Sequence, residues 1–184
     1  MKKIAVYGDR ILIKEDESRI PITKSGVIIP DSIDLRQSTG LQKHLVTGEV
    51  LESGIDCSYV NKGDIVMFGR GDLAKIEFKG THYLIVREYA IILRMNGDEA
   101  ESVNNDRILL IAEPRREKTE SGIFIPDNAV YEPTVGVVIK VGSSCKCTKE
   151  GDKILFGKNA GMPLTLKDKE YVIIRESDTI GGFN

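Results

Sequence analysis

The chain has 184 residues, 41% hydrophobic and 29% charged, which is an ordinary composition for a soluble globular protein. Its 26 basic and 28 acidic residues leave a net charge of −2 with no long Lys/Arg block, which argues against a nucleic-acid binder. No apolar run approaches the ~20 residues that span a bilayer, the N-terminus lacks the apolar core of a signal peptide, and three cysteines suggest a reducing compartment rather than a disulfide frame.

Taken in chain order, the sequence reads as short strands, and then reads as the same strands again. Ile11-Leu12-Ile13, Gly48-Glu49-Val50-Leu51, Asp64–Phe68 and Tyr83–Val86 are rich in β-branched and aromatic residues and bounded by Gly, Asp or Asn. The same series returns at Ile108–Ile111, Val135–Ile139, Lys153–Phe156 and Tyr171–Ile174. Four blocks recur in order: Asp9-Arg10-Ile11-Leu12 as Asp106-Arg107-Ile108-Leu109; Ser25–Asp31 as Ser121–Asp127; Lys62–Gly69 as Glu150–Gly157; Tyr83–Glu88 as Tyr171–Glu176. Such ordered self-similarity marks a tandem repeat. The offset is 97 at Arg10, 96 at Pro30, and 88 at Gly48 and Tyr83, so the first copy carries eight extra residues between Pro30 and Gly48.

No stretch sustains a helical period. The predicted fold is therefore all-β, two tandem small β-barrels, since closure is one way to remove exposed edge strands. The first domain is expected over residues 1–95, with a loop over about 15–45. A short acidic linker is expected over 96–104, and the second domain over 105–184, with a loop over about 113–133.

Within those polar loops sit two apolar triplets, Val27-Ile28-Ile29 and Ile123-Phe124-Ile125, each set between Gly and Pro. Three consecutive large apolar residues on a polar tether are a sticky tip, and the proline biases its predecessor toward extended backbone. The plain alternative is that both triplets are buried strands. The polar flanks and the duplication favour the tip.

This ordered set of motifs resembles the co-chaperonin (GroES, chaperonin-10) family over nearly the whole chain, twice. The resembling features are the Asp-Arg-aliphatic strand at Asp9–Ile13 and Asp106–Leu110, and the Gly-plus-three tips Gly26–Ile29 and Gly122–Ile125. With them go the Gly-x-Val strands at Gly48 and Gly136, the Gly-Asp strands at Gly63–Phe68 and Gly151–Phe156, and the closing strands Tyr83–Glu88 and Tyr171–Glu176. The resemblance implies GroES-like barrels assembled as a homo-oligomeric ring that caps a GroEL-type chaperonin in its ATP-bound state. Val27, Ile28, Ile29, Ile123, Phe124 and Ile125 would make the contact, with no catalytic residue, metal or cofactor. It implies a cytoplasmic protein, of a bacterium or a phage-infected host, with a chloroplast as a minor alternative. The family's roof hairpin has little room here, because only Ile55–Asn61 and Ser143–Lys149 separate the relevant strands, so an open or thin dome is expected. A second functional class is a ring-forming structural or assembly module, possibly phage-encoded, that keeps the fold without the chaperonin.

Other features are weighed and set aside. Cys145-Lys146-Cys147 offers half of a zinc ligand set, and no further Cys or His cluster lies near it in sequence. His44 and His82 stand in no recognisable catalytic motif. Arg70-Gly71-Asp72 spells an adhesion tripeptide, but it falls where a turn is expected.

Overall fold

The computed structural model describes residues 4–15, 45–113, 134–157, 160–167 and 169–183. It is built almost wholly of strands and divides into two compact units, residues 1–104 and 105–184.

In the first unit β1 (Arg10–Glu15), β2 (Leu45–Ser53), β3 (Ile65–Gly69), β4 (Leu73–Phe78), β5 (Thr81–Arg87), β6 (Ile91–Asn96) and β7 (Glu99–Val103) form one antiparallel sheet. Its strand order is β4-β5-β1-β2-β3-β6-β7. In the second unit β8 (Arg107–Ala112), β9 (Thr134–Val141), β10 (Lys153–Phe156), β11 (Met162–Leu166), β12 (Lys169–Arg175) and β13 (Thr179–Phe183) take the order β11-β12-β8-β9-β10-β13. The two orders are the same once β7 is set aside. Among the described residues no pairing joins the two outermost strands of either sheet.

Each sheet wraps a hydrophobic core. In the first unit Ile11, Ile13, Val50, Val66, Phe68, Val86 and Ile91 pack together although they come from five strands, which requires the sheet to curl around them. In the second unit the corresponding cluster is Ile108, Leu110, Val138, Ile154, Phe156 and Ile174. The first six of the former map onto the latter at the two sequence offsets, so the repeat preserves the core residue by residue. The runs Ile11–Ile13, Val66–Phe68 and Ile108–Leu110 are buried at every position, hence their unbroken apolar character rather than alternation.

The Gly-x-Val motif has a steric cause. A Cβ on Gly48 would run into the Ile13 side chain and the Lys14 carbonyl, and one on Gly136 into the Leu110 side chain. Glycine is what lets β2 and β9 pass so close to β1 and β8.

Residues 96–104 differ from the expected linker. Asn96 and Glu99 close a hairpin, and β7 pairs with β6 as Leu93↔Val103 and Arg94↔Ser102. The segment is a polar strand of the first unit, and the boundary between the units falls after Asn104.

Candidate functional site

The six residues that the sequence nominates for partner contact, Val27, Ile28, Ile29, Ile123, Phe124 and Ile125, lie outside the described residues. What the structure does describe is how the segments that carry them are rooted. In the first unit the chain leaves at Glu15, the last residue of β1, and returns at Leu45, the first residue of β2. Those two strands are antiparallel neighbours, with Lys14 opposite Glu49 and Glu15 opposite Gly48. Arg70 Nη2 lies 3.3 Å from Glu15 Oε1, tying the exit point to the 3-10 turn Arg70–Asp72. The tripeptide noted in the sequence thus forms a turn whose arginine is engaged by the sheet.

The second unit repeats the arrangement with different residues. The chain leaves after β8, where the Glu113 N–H donates to the Val135 carbonyl at 2.8 Å, and returns at Thr134. Lys153 Nζ donates to Glu113 Oε1 at 2.9 Å. Both segments therefore start and end on adjacent hydrogen-bonded strands of a packed sheet, each pinned by an ion pair at its root.

The remaining recurrent motifs are accounted for by the fold itself. Glu88, directly after β5, takes the N–H groups of Ser58 (2.8 Å) and Tyr59 (2.6 Å) on its carboxylate, with Val60 at 3.4 Å. Glu176, directly after β12, takes those of Lys146 (2.8 Å), Cys147 (2.8 Å) and Thr148 (2.9 Å). These N–H bonds hold the Glu176 carboxyl below its ordinary value. One carboxylate thus satisfies three successive backbone donors that the turn cannot pair internally. The Gly-Asp motif closes the other side of the same turn. Asp64 and Asp152 accept the N–H of Asn61 and Lys149, each at 2.8 Å, and Gly63 and Gly151 adopt φ of 91° and 90°.

Two more glycines make this turn tight. A Cβ on Gly54 would enter the backbone of Gly8, and one on Gly142 the backbone of Asn105. Gly8 and Asn105 are themselves left-handed, at φ 69° and 55°, which Gly and Asn tolerate best. Cys57 and Cys145 sit in the same turn with Sγ 3.6 Å from the carbonyl oxygens of Arg10 and Arg107, and burial pushes both thiols up. That environment suits a packed thiol rather than a metal-binding thiolate.

Sequence reasoning did not reach one further cluster. Tyr59 Oη donates to the Ser102 carbonyl at 2.8 Å and accepts the Arg94 N–H at 3.2 Å. The Arg94 guanidinium reaches Glu101 at 3.1 and 3.2 Å and Asp64 at 3.5 Å. The cluster fastens β7 to the turn, and it has no counterpart in the second unit, where Cys147 and Gly182 stand at the positions of Tyr59 and Arg94.

The chaperonin 10 Kd subunit family matches residues 3–95 and again residues 103–183, covering both units. The chain belongs to that family, twice over. Among curated proteins it is similar to the co-chaperonin GroES of Campylobacter hominis, 47% identical over 76 residues that cover 41% of this chain and 87% of that protein. It is also similar to the co-chaperonin GroES of Rhodothermus marinus, 45% identical over 42% of this chain and 85% of that protein. The co-chaperonin GroES of Helicobacter acinonychis is 42% identical over 43% of this chain and 70% of that protein. Each relative spans about one of the two units, so this chain is a tandem member of a family whose cited relatives match it one unit at a time.

Proposed function

We propose that this protein is a cytoplasmic co-chaperonin that caps a GroEL-type chaperonin ring, docking through Val27-Ile28-Ile29 and Ile123-Phe124-Ile125, and assists ATP-dependent protein folding without chemistry of its own. The observation that carries the reading is the family match over both units, together with an apolar triplet that recurs in each. The Asp-Arg strand, the Gly-x-Val strand, the Gly-Asp turn and the closing Glu all have a local structural reason, in core packing, close approach or backbone capping. The Gly-plus-three-aliphatics motif lies outside the described residues, and it recurs in both units on segments that leave and return on adjacent strands.

The energetics favour many weak contacts. Burying three large apolar side chains contributes roughly 5–9 kcal/mol gross, while ordering about five tether residues costs about 1–2 kcal/mol each. One tip binds weakly, and several on one assembly bind by avidity. A modest change in the partner then suffices to release the cap. The short turn at Gly54–Asn61, closed by Glu88, leaves no room for a roof hairpin and supports an open dome.

The test is co-sedimentation with a GroEL-type chaperonin with and without ATP, using wild type and the Ile28→Asp/Phe124→Asp double variant. ATP-dependent capture of wild type and loss of capture in a folded double variant are expected. Undiminished capture of the double variant refutes the docking assignment.

A further inference from the structure

The hairpins β4–β5 and β11–β12 put one strand of each unit at the end of its sheet. Among the described residues neither β4 nor β11 has a strand on its outer side. The two edges are chemically different. β11 carries Pro163 at the repeat position of Lys75. Proline has no N–H to offer and blunts a strand edge. β4, Leu-Ala-Lys-Ile-Glu-Phe, has no proline, and it pairs with β5 in unbroken register from Leu73 to Phe78.

The hairpin fixes which backbone groups face outward. Phe78 and Thr81 flank the two-residue turn Lys79-Gly80, whose φ values are 54° and 74°. Residues flanking such a turn exchange their backbone hydrogen bonds, and the pattern alternates along the strand from there. Ala74, Ile76 and Phe78 therefore turn their N–H and C=O toward β5, and Leu73, Lys75 and Glu77 turn theirs toward the outer edge. By the same count Pro163 stands at an outward position of β11, where Leu166 and Lys169 flank the turn. The side chains alternate as well. Lys75 and Glu77 share the face of Leu84 and His82, while Ala74, Ile76 and Phe78 share that of Ile85, Tyr83 and Thr81. Ala74, Lys75 and Glu77 are exposed, and Ile76 and Phe78 are half-buried.

This edge is complementary to itself in one register. An antiparallel second β4 centred on Lys75 sets Lys75 against Lys75, and one centred on Glu77 sets Glu77 against Glu77. Like charges directly opposite are unfavourable. Centred on Ile76, the pairing sets Lys75 against Glu77, and the two-fold axis repeats the pair. Both residues of that pair have outward-facing backbone, so they exchange N–H···O bonds in both directions. On the other face Ile76 meets Ile76, and Ala74 meets Phe78, an apolar contact at closely spaced positions.

We infer that the outer edge of β4 receives β4 of a second copy of this chain, antiparallel and centred on Ile76. Lys75 has contacts within its own chain, and the pairing adds the Glu77 carboxylate of the second copy to them. The contact is isologous and closes at two copies. The second unit does not make it, because Pro163 removes an N–H that the pairing needs. The inference goes beyond the proposed function and uses none of the residues proposed to dock on a chaperonin.

Cysteine cross-linking of the full chain, without chaperonin, tests it. Opposed residues at a position such as Ile76 have Cα atoms about 4.5 Å apart, within reach of a disulfide. Under mild oxidation Ile76→Cys is expected to form a covalent dimer well above the wild-type background, and Ala74→Cys, which faces Phe78 of the second copy, is not. In the Ile76→Cys background, Lys75→Glu and Glu77→Lys are each expected to lower the rate of dimer formation by on the order of tenfold. An equal mixture of the two charge variants restores unlike pairs on both sides of the axis, as does the double swap K75E/E77K, and both are expected to recover the rate. Thermal melts control for folding, and sedimentation velocity of the charge variants with Ile76 intact reads the same contact if Ile76→Cys does not fold. A dimer no more abundant than that of Ala74→Cys, single reversals without effect, or a mixture that fails to complement overturns the inference. Intact β4 pairing with failed capture by a chaperonin overturns only the co-chaperonin reading.

Discussion

The Glu88 carboxylate accepts the Tyr59 backbone N–H at 2.6 Å, across 29 residues of sequence, and Glu176 does the same for Cys147 at 2.8 Å. The glutamate that ends each closing strand is thus an anion held in a nest of backbone donors. It is placed by the strand before it and it fixes the turn in which a longer insertion would otherwise sit.

Removing that anion leaves three donors of the turn unpaired. Glu88→Ala is expected to destabilise the first unit by about 1–3 kcal/mol, the range for charged hydrogen bonds whose partners regain some water. Glu88→Gln, which keeps one acceptor oxygen, is expected to recover part of the loss. Urea unfolding of both variants, followed by tyrosine fluorescence and by circular dichroism, gives the comparison.

The pH dependence of the second unit has a definite sign. Backbone N–H groups hold the Glu176 carboxyl below its ordinary value of 4.5, so the folded state binds fewer protons than the unfolded state in that range. The stabilisation is fully present above the ordinary value and is lost as the pH falls through the lowered one. The urea midpoint of wild type is expected to drop more steeply than that of Glu176→Gln between about pH 5 and about pH 2. Parallel curves for the two proteins contradict the assignment. The group is largely exposed, so high salt is expected to shrink the difference.

The strands β1, β2, β3 and β5 and their repeats β8, β9, β10 and β12 were legible in the sequence, as was the repeat itself, because burial demands apolar side chains at a fixed spacing; β4, β6, β11 and β13 were not read from it. Two further features were not legible. The strand β7, Glu-Ala-Glu-Ser-Val, has the composition of a linker, and it is a strand because Tyr59, Arg94 and β6 hold it there. No local pattern carries that information. The closing glutamates were visible as the end of a motif, yet their role depends on a turn about 30 residues earlier. The recurrence of Glu88 at Glu176 was the one available signal. The apolar triplets were read from composition and duplication alone, and the geometry adds only how their segments are rooted.

The glycines of the turn separate two physical effects. Gly54 has the Gly8 backbone where a Cβ would go, whereas Gly63 has open space there but a φ of 91°. Gly63→Ala is expected to cost about 1–2 kcal/mol, the strain of a left-handed alanine. Gly54→Ala is expected to cost more, since the Gly8 backbone has to move, and it shifts the root of residues 4–7 with it. Denaturant midpoints order the two, and equal losses refute the close-approach argument.

The last prediction isolates β7. Tyr59→Phe keeps the ring under the Arg94 guanidinium, 5.8 Å from the ring centroid, and removes only the hydroxyl that bonds Ser102 and the Arg94 N–H. The global cost is expected to be small, about 1 kcal/mol, because the core of the first unit is untouched. The local cost falls on a strand with one hydrogen-bonded neighbour among the described residues. Amide hydrogen exchange over residues 99–103 is expected to speed up several-fold, while that over 84–86 in β5 stays as it was.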